Sequence, residues 1–575
     1  MSVPMRSLPA LAVPLLAGLV LLAMPRPSAG DGPAGPAPAA GAPTAPAQRI
    51  TAAGMLRDAA ALSADSMEGR GPGTAGDRRA RAWLARRLAE AGFVPGGPHG
   101  DWEQAIPIVG LSLPGTGPWR FAGPGGEAAF AWRTDYIGGS GVQEPRVAID
   151  DAEVVFVGYG IRAPEFAWDD FKGADLKGKV LLVLNNDPDW DSTLFAGRTR
   201  LYYGRWDYKY EEAARQGAAA VVLVHTAPSA GYGWNVVERS WSGTLWDVPA
   251  GDEPRLRFKS WFTEAAARRL CALGGRDLDA LVAAARGRDF RPVPLDVRTS
   301  LAFDVTVERG ETGNVVGVLP GSDPGLRWEG VVLTAHHDHL GIGAPDSTGD
   351  RIHNGALDNA TGCAQVLALA EAFAATKPRP RRSIVAVFTA GEEQNLLGAR
   401  AYVAHPTFPL GRLAANLNFD GANTWGRTAD VAVVGRGKCD LEDRLVAAAA
   451  AQGRRVVGDP EPDKGYYYRA DQLSFARAGV PALYFGSGRE YIGRPAGWGE
   501  AKDLEFLRHR YHQPGDEIRP DWDLSGAVED TRLGYEVGLG VANADAMPRW
   551  YTGDEFEPAR KKALEEAAAA ERAGR

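Results

Sequence analysis

Cysteine is nearly absent from this chain: three in 575 residues, at Cys271, Cys363 and Cys439. So sparse a set excludes a disulfide framework. One pair remains open, and Cys363 reads as a small buried helix residue rather than a nucleophile. Excess positive charge is lacking too. The net charge is −8, which argues against nucleic acid as a partner. Beyond residue 29 no stretch is apolar enough to span a bilayer, so no integral membrane segment is expected there. What is present is ordinary globular material, 45% hydrophobic and 24% charged, in a chain long enough for more than one core. Oligomeric state is left open.

The first 29 residues have the pattern of a secretory signal: Arg6, an apolar run from Leu8 to Met24, then small residues Ser28, Ala29 and Gly30. An uncleaved anchor is the alternative, but the run is short and contains Pro14. No cysteine follows it, so a lipoprotein anchor is not supported. Residues 30–48 are almost wholly Gly, Pro and Ala, a tether rather than a fold. Folded sequence is expected from 49 to 146, a compact α/β insert at 147–291, the main folded part at 292–550, and a charged, solvated helical tail at 551–575.

In the main part, short β-rich runs alternate with helical ones. Strands are expected at 314–319, 331–335, 383–389, 414–419, 430–434 and 480–485, and helices at 360–375, 396–404, 441–452 and 525–544. This alternation predicts an α/β fold, a mixed and largely parallel sheet with helices on both faces. The stretch from Val331 to Cys363 organises it. There V-V-L-T-A-H-H-D-H-L-G is a buried strand ending in charge, and Asp358 stands just ahead of a long apolar helix. Four of the nine histidines lie between His336 and His353, and buried imidazoles and carboxylates need partners.

Other strands end the same way. Ser383 to Thr389 leads to Glu392 and Glu393, and Ala414 to Phe419 leads to Asp420. A late loop, R-Y-H-Q-P-G-D, carries His512 and Asp516. Parallel strands gather their C-terminal ends, so these groups should converge. Converging carboxylates repel unless a cation neutralises them, and two imidazoles with several carboxylates suit zinc or a similar divalent ion.

The blocks A-H-H-D-H-L-G, G-A-L-D-N-A-T-G, T-A-G-E-E-Q-N-L-L-G, N-F-D-G and Y-H-Q-P-G-D, in this order, resemble the two-zinc exopeptidases of metallopeptidase family 28. That family includes bacterial aminopeptidases and glutamate carboxypeptidase. The resemblance covers about residues 50 to 545. E-G-R-G-P-G-T looks like the family's N-terminal loop, and the insert looks like a protease-associated domain. The resemblance implies that His336 and Asp420 hold one zinc, that Glu393 and His512 hold the other, and that Asp358 bridges them. Such a bridge keeps the ions about 3.5–4 Å apart. Asp338 would orient a ligand from behind, and Glu392 would take a proton from the attacking water and pass it to the leaving amine. Cobalt or manganese could occupy the same ligands.

The chain departs from the family where Ser-Asp-His is usual: it has Ala470, Asp471 and Gln472. Gln472 exchanges hydrogen bonds but cannot titrate, so substrate positioning is expected to differ. Asp471, Gln472 and Tyr468 are the candidates for touching substrate, although Tyr466 to Tyr468 could equally be core packing. His337, His339 and His353 are expected behind the site. The expected function is a secreted or periplasmic metallo-aminopeptidase acting on peptides. A glutamate-carboxypeptidase-like enzyme remains open through Arg469 and Arg489. A non-catalytic receptor-like protein and a one-metal cyclotransferase are disfavoured by the full ligand set.

Overall fold

The computed structural model describes residues 45–574. The expected signal segment, and the tether up to residue 44, lie outside the described residues. The tether ends earlier than expected, because Ala47 is buried and Arg532 donates to its carbonyl at 3.2 Å.

Two helices open the fold, α1 (Ala52–Leu62) and α2 (Ala75–Glu90), each capped by a threonine that accepts from a first-turn N–H. A long strand, β1 (Glu103–Ser112), follows. The chain then builds a separate eight-stranded sheet from β2 (Trp119–Gly123), β3 (Gly126–Phe130), β4 (Tyr136–Ser140), β5 (Arg146–Phe156), β6 (Val180–Leu184), β7 (Ala220–His225), β8 (Phe258–Thr263) and β9 (Val293–Asp304), in the order β3-β2-β9-β5-β6-β7-β8-β4. Helices α3 (Trp206–Arg215) and α4 (Trp234–Trp241) belong to this part. Apolar clusters form on both of its faces.

This second sheet is wider than the expected 147–291. The strands β2 to β4 and β9 lie in segments assigned to the main part on sequence. The reason is long-range pairing: β9 alternates buried and exposed residues and runs antiparallel to β5 and β2. That partnership is set by residues more than a hundred positions away and leaves no local signal.

The main sheet continues with β10 (Thr306–Leu319), β11 (Gly330–His336), helix α5 (Thr361–Ala375), β12 (Ser383–Thr389), helix α6 (Leu397–Ala404), β13 (Leu413–Asn418), β14 (Asp430–Val434), helix α7 (Leu441–Ala451), β15 (Arg455–Gly458), β16 (Ala482–Ser487) and helix α8 (Ser525–Asn543). Its order is β1-β10-β12-β11-β13-β16-β14-β15, with Leu245–Asp247 added beside β1 and Val94–Pro95 beside β10. It is mixed. The run β12-β11-β13-β16 is parallel, β1-β10-β12 and β16-β14 pair antiparallel, and β14-β15 is parallel. The central strands are buried on both faces, which is why they are unbroken runs of Val, Ile, Ala and Phe. Helix α5 is buried almost all round, and its Ala, Gly and Cys residues let it lie close to the sheet. Replacing Leu367 or Leu369 there by Ala would cost roughly 2–5 kcal/mol.

The tail is not solvated as expected. Helix α9 (Glu557–Gly574) docks through buried Phe556 and Ala563, Arg560 donates to the Leu413 carbonyl at 3.0 Å, and Glu571 pairs with Arg412. All three cysteines are buried and free.

Candidate metal centre

Strand β11 ends at His336, and the next turn carries Asp338. Beside it, β12 ends at Thr389 and its loop carries Glu392 and Glu393. On the other side, β13 leads to Asp420. Parallel registration thus brings three sequence blocks to one sheet end. Asp358 joins them from the turn ahead of α5. Gly355 in that turn has φ +56°, and a Cβ there would fall 2.3 Å from the Asp358 carbonyl oxygen, so a side chain is excluded.

The two oxygens of Asp358 face opposite ways. His336 Nε2 lies 3.3 Å from Asp358 Oδ1 and 3.4 Å from Asp420 Oδ1. His512 Nε2 lies 3.5 Å from Asp358 Oδ2 and 3.0 Å from Glu393 Oε2. The five residues expected to be ligands therefore meet as two groups sharing one carboxylate. His512 Nε2 is buried and makes no hydrogen bond despite these short distances. His336, Asp358 and Asp420 offer donor atoms within 4.8 Å of one another, and so do His339, Asp358 and Glu393. Each half combines imidazole with two carboxylates, a donor set that fits a divalent ion of the zinc class.

Behind these groups lies a layer that aims them. Asp338 accepts from the backbone N–H groups of Glu392 at 3.1 Å and Glu393 at 3.4 Å, and its Oδ1 is 3.6 Å from His336 Nδ1. Asp516 accepts from the N–H groups of Leu357 and Asp358, both at 3.0 Å. Asn359 donates to the Phe419 carbonyl and accepts from Gly421, tying the Asp358 turn to the Asp420 loop. Arg70, from the E-G-R-G-P-G-T loop, is fully buried. It donates to the carbonyls of Leu62, His337, Asn354 and Gly355 at 2.6–2.9 Å.

Residues 314–535 match the profile of Peptidase family M28. The chain carries an M28 peptidase domain. The fold is also that of a solved aminopeptidase from Aneurinibacillus sp. strain AM-1, with TM-score 0.50 at 17% identity, covering 87% of this chain and 96% of that one. Curated relatives include a vacuolar membrane protease of Emericella nidulans, 29% identical over 242 residues, which are 39% of this chain and 22% of that protein. Another of that name, from Arthroderma benhamiae, is 32% identical over 268 residues, 43% of this chain and 23% of its own length. The chain spans under a quarter of the length of these relatives. Their name corrects the secreted or periplasmic location expected from the N-terminal sequence. No described helix is long and apolar enough to cross a membrane.

Electrostatics in the M28 domain follow from crowding. Burial pushes Asp358 up, but His336 and His512 more than offset this and hold it well below the usual carboxylate range. Burial would lower His512; Glu393 and Asp358 instead hold it up at about 10. Glu393 falls to about 2, its burial outweighed by His512 and His339. Glu392 goes the other way. Burial raises it well above an ordinary glutamate, and Asp420 and Glu393 add to the effect.

The remaining expectations divide. His337 bonds Asp77 at 3.0 Å and belongs to neither donor group. His339 is nearer than expected, its Nδ1 2.7 Å from Glu393 Oε1. The substrate candidates are corrected. Tyr468 is buried and donates to Glu555 at 2.5 Å, at the foot of the tail. Gln472 accepts from Asn418 at 2.8 Å and donates to the Tyr467 carbonyl at 2.7 Å, so both ends of its amide are occupied in the core. Asp471 is buried beneath the ligands and accepts from Thr389. None of the three lines the cavity.

That cavity, of about 1190 Å³, opens between the two sheets, with His336, Asp358, Glu392, Glu393, Asp420 and His512 in its wall. Sequence reasoning missed the residues that meet it from the second-sheet part. Ser240, at the end of α4, lies with Oγ 3.0 Å from His512 Nδ1. Were Nε2 committed to a cation, Nδ1 would carry the proton and donate it to Ser240. Tyr511 stacks on the same imidazole at 4.0 Å between ring centroids. A lone Ser carries no pattern, but Tyr511 adjoins a proposed ligand and was open to notice.

Proposed function

We propose that this chain is a metallo-exopeptidase, an aminopeptidase releasing N-terminal residues with two divalent ions, zinc first among them. The observation that carries it is the shared Asp358 carboxylate, one oxygen toward His336 and Asp420 and the other toward Glu393 and His512. His336 and Asp420 would hold one ion, Glu393 and His512 the other, with Asp358 common to both. When bound, such ions polarise the scissile carbonyl and make water a stronger acid.

Glu392 does the proton work. It reaches the cavity beside the ligands but makes none of their contacts, and its environment favours the protonated form more than water does. It takes the proton of the attacking water and returns it to the leaving amine. Asp338 fixes the Glu392–Glu393 turn through two N–H groups, so base and ligand keep a constant spacing. These acids are largely buried, which strengthens the charge interactions among them.

Hydrolysis of aminoacyl amides and their N-blocked counterparts, before and after chelator and after adding zinc back, tests the reading. Cleavage of free N-termini only, lost with chelator and restored by zinc, is expected. Cleavage of blocked peptides from the C-terminal end, or activity indifferent to chelator, would refute it.

A further inference from the structure

Arg469 stands apart from the other charged groups of the cavity. It follows the Tyr466–Tyr468 turn and shares the cavity wall with Glu392 and Asp420. Its guanidinium is flanked by the Tyr232 ring at 5.1 Å and the Tyr466 ring at 5.2 Å. Among the described residues no carboxylate lies within ion-pair distance of it, and no side-chain hydrogen bond engages it. Arg489, in the same wall, is by contrast saturated by Glu461 at 2.6 Å and Asp503 at 2.7 Å. The acids closest to the reaction centre do not serve Arg469 as counter-ions, because the reading above commits them to cations and to proton transfer.

A cation withdrawn from bulk water without a partner is costly unless something compensates it. Two tyrosine rings supply part of the compensation and leave the N–H fork free. The cage is built from both parts of the molecule. Tyr466 comes from the M28 domain, and Tyr232 from the loop ahead of α4, where its carbonyl accepts from His225 Nε2 at 3.1 Å. A planar fork in a half-dry cavity suits a carboxylate, which it can bind by two parallel hydrogen bonds.

We propose that Arg469 is the receptor for a substrate carboxylate, so that this cavity selects peptides carrying one close to the scissile bond. The carboxylate has two sources, the free C-terminus of a short peptide or an acidic side chain. The proposal rests on the peptidase reading for its substrate class.

The test uses metal-loaded Glu392→Gln protein, so that peptides bind without turnover. Calorimetry compares Leu-Gly with Leu-Gly amide, and Glu-Gly amide with Gln-Gly amide. The first pair isolates the terminus and the second the side chain. At least tenfold tighter binding of the carboxylate member is expected in one pair or both. Adding Arg469→Gln abolishes the preference, and Arg469→Lys restores part of it, since charge returns without the planar fork. Equal binding within both pairs, a preference that survives Arg469→Gln, or no binding of any peptide overturns the proposal. Failure of the wild-type enzyme to hydrolyse any peptide would instead refute the peptidase reading and leave a measured binding preference standing.

Discussion

On the sheet side of the cavity, His336, Glu393 and Asp420 follow the ends of adjacent parallel strands, and neighbouring backbone groups hold their turns in place. On the facing side, Ser240 and Tyr232 come from a short helix and a loop of the second sheet's part, and each reaches across through one contact. The first wall is over-determined: Asp338, Asp516, Asn359 and Arg70 all constrain the same few residues. The second adjusts what the first presents. Reactive geometry is thus confined to the wall with redundant support, and the wall with single contacts is left for tuning and selection.

The largest effect should come from the sheet-side wall. Glu392→Gln removes the proton carrier while leaving every proposed ligand, so kcat should fall about 10²–10⁴-fold with metal content unchanged. Elemental analysis alongside peptide assays checks this, and loss of bound metal would contradict its assignment as the base. Next is Asp338→Asn, which weakens the grip on two N–H groups and on His336. Metal affinity measured by chelator competition should drop about 10–100-fold, and an affinity equal to wild type would show the supporting layer to be dispensable. The smallest effect belongs to the facing wall. Ser240→Ala leaves His512 Nδ1 without its partner, and metal affinity should fall by less than about tenfold, the cost of one neutral hydrogen bond. A drop as large as that of Asp338→Asn would erase the distinction between the walls.

Part of the sheet-side wall was legible in the sequence because three of its blocks couple an apolar strand run to an acid or imidazole. Strand ends that converge in a parallel sheet turn sequence order into spatial proximity, which groups His336, Glu393 and Asp420, while Asp358 and His512 joined them through the resemblance of their blocks to the family's. The facing wall was not. Ser240 and Tyr232 have no spacing in common with the ligand blocks, and their contacts with His512 and with Arg469 depend on how one sheet sits against another. Tyr468 and Gln472 misled for a related reason: they adjoin the right loop, but Tyr467 and Tyr468 both turn into the core while Tyr466 meets the cavity, and Gln472 opens a short helix buried behind it. The second sheet's width was hidden by β9, which pairs with strands far earlier in the chain.

Arg70 and β1 carry a lesson for anyone who wishes to isolate the recognisable segment. Residues 314–535 hold every proposed ligand. Yet the guanidinium that gathers the carbonyls of His337, Asn354 and Gly355 comes from residue 70, and strand β10 would lose its long neighbour β1. A fragment trimmed to that segment would expose a bare sheet margin and release the turns beneath the ligands. The catalytic segment therefore depends on residues that lie before the second sheet, and the insertion between them divides one folding unit rather than linking two.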